Sequence, residues 1–159
     1  MKKRILRGAA ILASLAVLFG AATAFGAFHA GTYAGKITGV QGTQLPKGGN
    51  MKFKISGRAK VTTFQFSKIY VACTDNNVWR TSGHVSGIKA PIVKKNGLPT
   101  FVIHASNSTG ATLKVKGIIR GSNHARGVLN FHGVMATTGG TKNCATGRQF
   151  WSAGHVAGT

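Results

Sequence analysis

The chain has 159 residues, with 21 Lys and Arg against a single Asp or Glu, for a formal net charge of +20. That length accommodates one ordinary domain. A lone carboxylate excludes chemistry that needs several, such as glycoside hydrolysis by paired acids or Ca²⁺ and Mg²⁺ sites built from carboxylates.

Residues 1–24 read as a secretory signal peptide. Lys2, Lys3, Arg4 and Arg7 precede an apolar run from Ala9 to about Ala24, which closes on Ala21-Ala22-Thr23-Ala24. Charged, then apolar, then small is the order of a cleaved leader. The apolar run is short for a membrane span of about 20 residues, so cleavage is expected rather than a retained anchor, after Ala24 or, as the alternative, after Gly26. Residues 25–159 are then a single β domain. Without the leader's four cations, 17 basic residues face one acid, Asp75, for a net +16.

Gly31 to Thr38 reads as a first strand, and Gly39 to Asn50 as a loop broken by Pro46 and Gly48-Gly49. Met51-Lys52-Phe53-Lys54-Ile55 alternates apolar and cationic, the period of a half-buried strand. Ser56-Gly57-Arg58 predicts a turn, making a hairpin with Val61 to Cys73, the longest β-branched and aromatic run. The apolar phase slips inside that run, which predicts bulges or a break near Ser67.

Thr74 to Asn77 is a polar turn, and Val78 to Val85 a strand carrying Trp79. Pro91 makes Ile88 to Val93 an edge strand or a loop. Lys94-Lys95-Asn96-Gly97 predicts a hairpin turn. Strands follow at Thr100 to Ala105, Ala111 to Arg120 and Ala125 to Met135, with Leu129 and Phe131 facing in. Thr137 to Thr146 reads as a Gly/Thr loop holding Cys144, and Arg148 to His155 as the last strand. About eight short strands with no helical period predict an all-β fold, a single antiparallel β-sandwich or small β-barrel.

Two cysteines in an exported chain predict one disulfide, Cys73–Cys144; the rival reading is a pair of buried free thiols. No C-x-x-C spacing offers a metal site.

A set of segments carries a resemblance. These are Gly31-Thr32-Tyr33-Ala34-Gly35-Lys36, the Cys73 strand, Asn96-Gly97 to Phe101, Lys116-Gly117-Ile118 to Gly127, and Cys144-Ala145-Thr146-Gly147-Arg148-Gln149-Phe150-Trp151-Ser152-Ala153. Together they resemble a group of small secreted β-proteins common in soil actinobacteria, with no assigned activity. The resemblance spans nearly all of the chain after the leader. It implies export, an all-β fold and the disulfide, and it implies no catalytic residue. The extreme basicity departs from the group.

A Ser-His-Asp triad would have to use Asp75, and no Gly-x-Ser-x-Gly elbow occurs. None of His29, His84, His104, His124, His132 and His155 is two residues from another, so no strand presents a two-histidine metal pair. No cofactor or metal is expected. Metal-free RNA cleavage could use His104, His124 or His132 with Lys114 or Lys116, although no spacing demands it.

The basic strands are the stronger candidate. Lys52 and Lys54 share one strand face, and Lys114 and Lys116 share another. If those strands share a sheet face they form a cationic ladder, with Arg58 and Lys60 at its end. Such point charges hold phosphates without reading sequence. Inward aromatic parity leaves no stacking surface for sequence-specific nucleic-acid recognition. The expected role is therefore a secreted, extracellular or cell-wall-associated, non-catalytic β domain. It would associate electrostatically with anionic envelope or extracellular polymers. The alternatives are a small-ligand-binding β-barrel and the ribonuclease-like enzyme.

Overall fold

The computed structural model describes residues 28–157; the expected leader and its expected cleavage site lie outside them. Every regular element among these residues is a strand: β1 (Gly31–Gln41), β2 (Asn50–Ser56), β3 (Lys60–Cys73), β4 (Val78–Val85), β5 (Ala90–Pro91), β6 (Val93–Lys95), β7 (Leu98–Ser106), β8 (Thr112–Arg120), β9 (His124–Thr137), β10 (Gly140–Ala145) and β11 (Arg148–Val156).

All eleven join one antiparallel sheet. Its pairings return on themselves: β1 pairs β2, β2 pairs β3 and β3 pairs β5. Only Ile92 separates β5 from β6, which pairs β7; then β7 pairs β8, β8 pairs β9, β9 pairs β11 and β11 returns to β1. The result is a ring with eight positions, a barrel rather than a sandwich. Closure leaves few open edges, the liability of any sheet. β4 flanks the upper part of β3, and β10 continues the line of β11 along β9.

The two slips of phase in β3 are bulges. The register shifts at Lys54/Ile55 opposite Thr62, and again between Phe66 and Ile69, where Lys68 has a φ of 55°. Each bulge resets the alternation, so Val61, Phe64, Phe66, Ile69, Val71 and Cys73 all point inward and are buried. Asn96 and Gly97 both have positive φ, as a two-residue hairpin between β6 and β7 requires.

The reading of Thr137 to Thr146 as a loop is corrected. Thr138 and Gly139 make a tight turn, and Gly140–Ala145 is strand β10. Its segment Gly-Thr-Lys-Asn has no apolar alternation to announce it. Backbone pairing with β9 and with β3 imposes the extended form. Where β10 meets β3, Cys144 stands directly opposite Cys73 and the two are disulfide-bonded.

One core fills the ring. Tyr33 stacks on Phe53 with centroids 5.0 Å apart, and Phe53 meets Phe101 at 5.4 Å and Trp151 at 5.8 Å. Met51, Ile55, Val61, Ile103, Val115, Ile119 and Leu129 complete the packing. A smaller cluster surrounds the disulfide, with Val71, Trp79 and Met135.

Candidate polyanion-binding face

Alternation across a filled ring has one electrostatic consequence: every cation must go outside. Of the 17 basic residues from Phe28 onwards, all but the half-buried Lys142 are exposed. Asp75 can neutralise at most one of them. Its carboxylate accepts the Asn77 backbone N–H at 3.1 Å, and Asn77's side-chain amide is the larger influence holding its pKa below the ordinary value.

β2 and β8 are not neighbours. They occupy opposite positions in the ring, four steps apart in either direction. Lys52 and Lys54 therefore do not sit beside Lys114 and Lys116. The register nevertheless links them. Lys60 lies opposite Ser56, two residues along β2 from Lys54. Lys52 lies opposite Ala34, two residues along β1 from Lys36. Lys36 faces Ser152, and Ser152 faces Arg126 on its other side. Arg126 faces Ile118, two residues along β8 from Lys116.

The outer face thus carries a slanted band: Arg58, Lys60, Lys54, Lys52, Lys36, Arg126, Lys116, Lys114. Each of these is exposed. No two are directly opposite across a ladder. Lys52 lies between Ala34 and Gln65, Lys54 between Thr32 and Thr63, and Lys36 between Asn50 and Ser152. Directly opposed like charges destabilise a sheet, whereas diagonal partners stand about 7–8 Å apart. The band keeps its amines close enough to bind one polymer and far enough apart to fold. Gln65 and Asn50 add hydrogen-bonding amides, and His84 follows Gln65 on β4.

Sequence reasoning found six members of this band and missed Lys36 and Arg126, the two that bridge it. Lys36 shares the outward parity of Ala34, but which strand adjoins it is a matter of topology. Phe150 was also missed: it is a half-buried aromatic on an outward position of β11, between Gly39 and Val128. The expectation that aromatics all face inward is corrected there.

The ribonuclease-like set is spread over the three neighbouring strands β7, β8 and β9. His104 faces Lys114, but His132 faces Thr112 on the far side of β8. That offset places the two imidazoles' strand positions about 12 Å apart at ordinary strand spacings. His124 lies opposite Arg120 at the far end of β8. The interior that a small-ligand carrier would use is occupied by Tyr33, Phe53, Phe101 and Trp151. A cleft of about 340 Å³ opens instead between β4 and the β7–β8 turn, floored by Phe66, Leu113 and Phe131. Among the described residues no three His, Cys, Asp or Glu groups are placed to hold a metal ion. No family model, curated protein or solved structure matches the chain.

Proposed function

We propose that this is a secreted, non-catalytic β-barrel that associates with anionic polymers of the cell envelope or extracellular space. The observation that supports it most is the outward band from Arg58 to Lys114, in a protein with one side-chain carboxylate. Cations of a solvated surface are ordinarily interspersed with acids. Here no acid interrupts them, and the protein's field draws polyanions over a Debye length of about 8 Å at physiological salt. The signal-peptide pattern and the disulfide both support export. The ligand contacts are point charges to phosphate or similar groups, which position a chain without reading it.

The test is retention of the mature protein on phosphocellulose across a salt series. Log affinity should fall linearly with log salt, with a slope reporting several contacts. Weak retention that is indifferent to salt overturns the proposal.

A further inference from the structure

Phe150 stands in the middle of the band, and its surroundings suggest more than charge. Along β11 its outward neighbours are Arg148 and Ser152. Across the ladders it faces Gly39 and Val128, and on its diagonals lie Lys36 and Arg126, both opposite Ser152. The Arg148 guanidinium carbon lies 5.7 Å from the Phe150 ring centroid. A shallow depression of about 590 Å³ opens here, lined by Thr38, Ile118, Arg126, Val128, Phe150 and Ser152.

Gly39 lies against this ring: a β-carbon at position 39 would stand 3.5 Å from it, in ordinary van der Waals contact. The large rings Tyr33, Phe53, Phe101 and Trp151 are instead buried in the core. An aromatic left outward, among three cations and beside a glycine, does nothing for the interior.

We infer that Phe150 is a base-stacking platform and that the polymer favoured by the band is single-stranded nucleic acid. A base lies on the Phe150 ring while its flanking phosphates meet Lys36, Arg126 and Arg148. Every base has a π-face, so such stacking is tolerant of sequence and adds to the phosphate contacts. The inference rests on the band's being a polyanion site. It adds a chemical preference that charge alone cannot supply.

Fluorescence anisotropy tests it with two labelled probes, a 15-residue oligo(dT) and an abasic 15-residue phosphodiester with the same charges. At matched salt the wild-type protein should prefer oligo(dT) by about tenfold, within the range of one stacked base. Phe150→Leu keeps apolar bulk but removes the ring, and should abolish the preference while leaving abasic affinity unchanged. Phe150→Trp should retain or increase it. Equal wild-type affinity for both probes, or a preference that survives Phe150→Leu, overturns the inference and leaves the band reading intact. Failure to bind either probe overturns both. Unchanged far-UV circular dichroism of each variant confirms that the fold is preserved.

Discussion

Trp151 stands directly opposite Gly127, and a β-carbon at position 127 would lie 2.6 Å from the indole and 1.9 Å from the Lys116 carbonyl oxygen. The same pairing recurs twice. Phe101 lies opposite Gly117, and Phe66 opposite Gly83, with each ring covering the glycine across the ladder. A small ring of strands has limited internal volume, and a large aromatic fits where its cross-strand partner has no side chain. These glycines are core residues by what they leave out.

Gly127→Ala should therefore cost stability out of proportion to one methyl. The obstructing Lys116 oxygen is backbone and cannot rotate away, so the strands must part. The expected loss is about 3 kcal/mol, the upper part of the overpacking range. Trp151→Ala should cost about 3–5 kcal/mol through the opposite defect, a cavity. Urea unfolding monitored by circular dichroism measures both. A Gly127→Ala variant as stable as the parent would show that the ring and the carbonyl are not where the packing requires them.

The disulfide joins residues 71 positions apart in sequence, at the two-residue ladder between β3 and β10. That ladder is too short to hold β10 against β3 unaided. On the chain-entropy model a closed loop of this length is worth about 4 kcal/mol. The double variant Cys73→Ala/Cys144→Ala should lose about that much. Its first amides to lose hydrogen-exchange protection should be those of β10, while β1, β2 and β11 stay protected. Uniform loss across the ring would contradict a local role.

Most of this architecture could be read from the chain, and the omissions share one cause. Local signals marked the alternating β2 strand, the Asn96-Gly97 turn and the phase slips of β3, because each is written within a dozen residues. β10 was not legible, because its strand character comes from β9 and β3 rather than from Gly-Thr-Lys-Asn. The band was half legible. Parity along one strand identified Lys52 with Lys54 and Lys114 with Lys116. Only the closure of the ring reveals that Lys36 and Arg126 connect them, since cross-strand neighbours depend on strand order. Phe150 was assigned inward with the other aromatics, but Gln149 and Trp151 hold the buried positions on either side of it.

The pH dependence of stability should be unusually flat on the acid side. Acid denaturation depends chiefly on protonating carboxylates that are ionised and bonded in the native state. The only such side chain is Asp75, whose pKa is lowered by the Asn77 side chain and then by its backbone N–H. A lowered pKa contributes stability above the ordinary carboxylate range and loses it as pH falls through that range. The melting temperature, measured at high salt to screen repulsion, should be level from pH 7 to about 4 and decline only slightly below. Asp75→Asn should remove that decline.

On the alkaline side the relevant group is Tyr33. Burial is the largest influence on its pKa and pushes it up. The hydroxyl donates toward the carbonyls of His29, at 2.9 Å, and Ser122, at 3.2 Å, tying the start of β1 to the β8–β9 turn. A raised pKa stabilises the fold below the ordinary tyrosine range and loses that contribution as pH rises through the shifted value. Stability should therefore drop above about pH 10. Tyr33→Phe should flatten that drop and cost about 1 kcal/mol at neutral pH. An alkaline transition unchanged in Tyr33→Phe would assign it elsewhere.

Position, not total charge, should decide polymer affinity. Lys36→Gln/Arg126→Gln removes two charges from the centre of the band, and Lys47→Gln/Lys89→Gln removes two exposed charges outside it. Both double variants reach the same net charge, so a purely diffuse field predicts equal effects. The band predicts otherwise. Substituting its bridge leaves Arg58 to Lys52 and Lys114 with Lys116 as two separate patches, and a flexible phosphate polymer can no longer follow one path between them. The slope of log affinity against log salt should become shallower by about 1.5 to 2 for the bridge variant, as expected for two lost phosphate contacts. The slope for the outlying pair should barely change. Equal slopes for the two variants would mean that the lysines and arginines act only as a cloud of charge, with no path across the barrel.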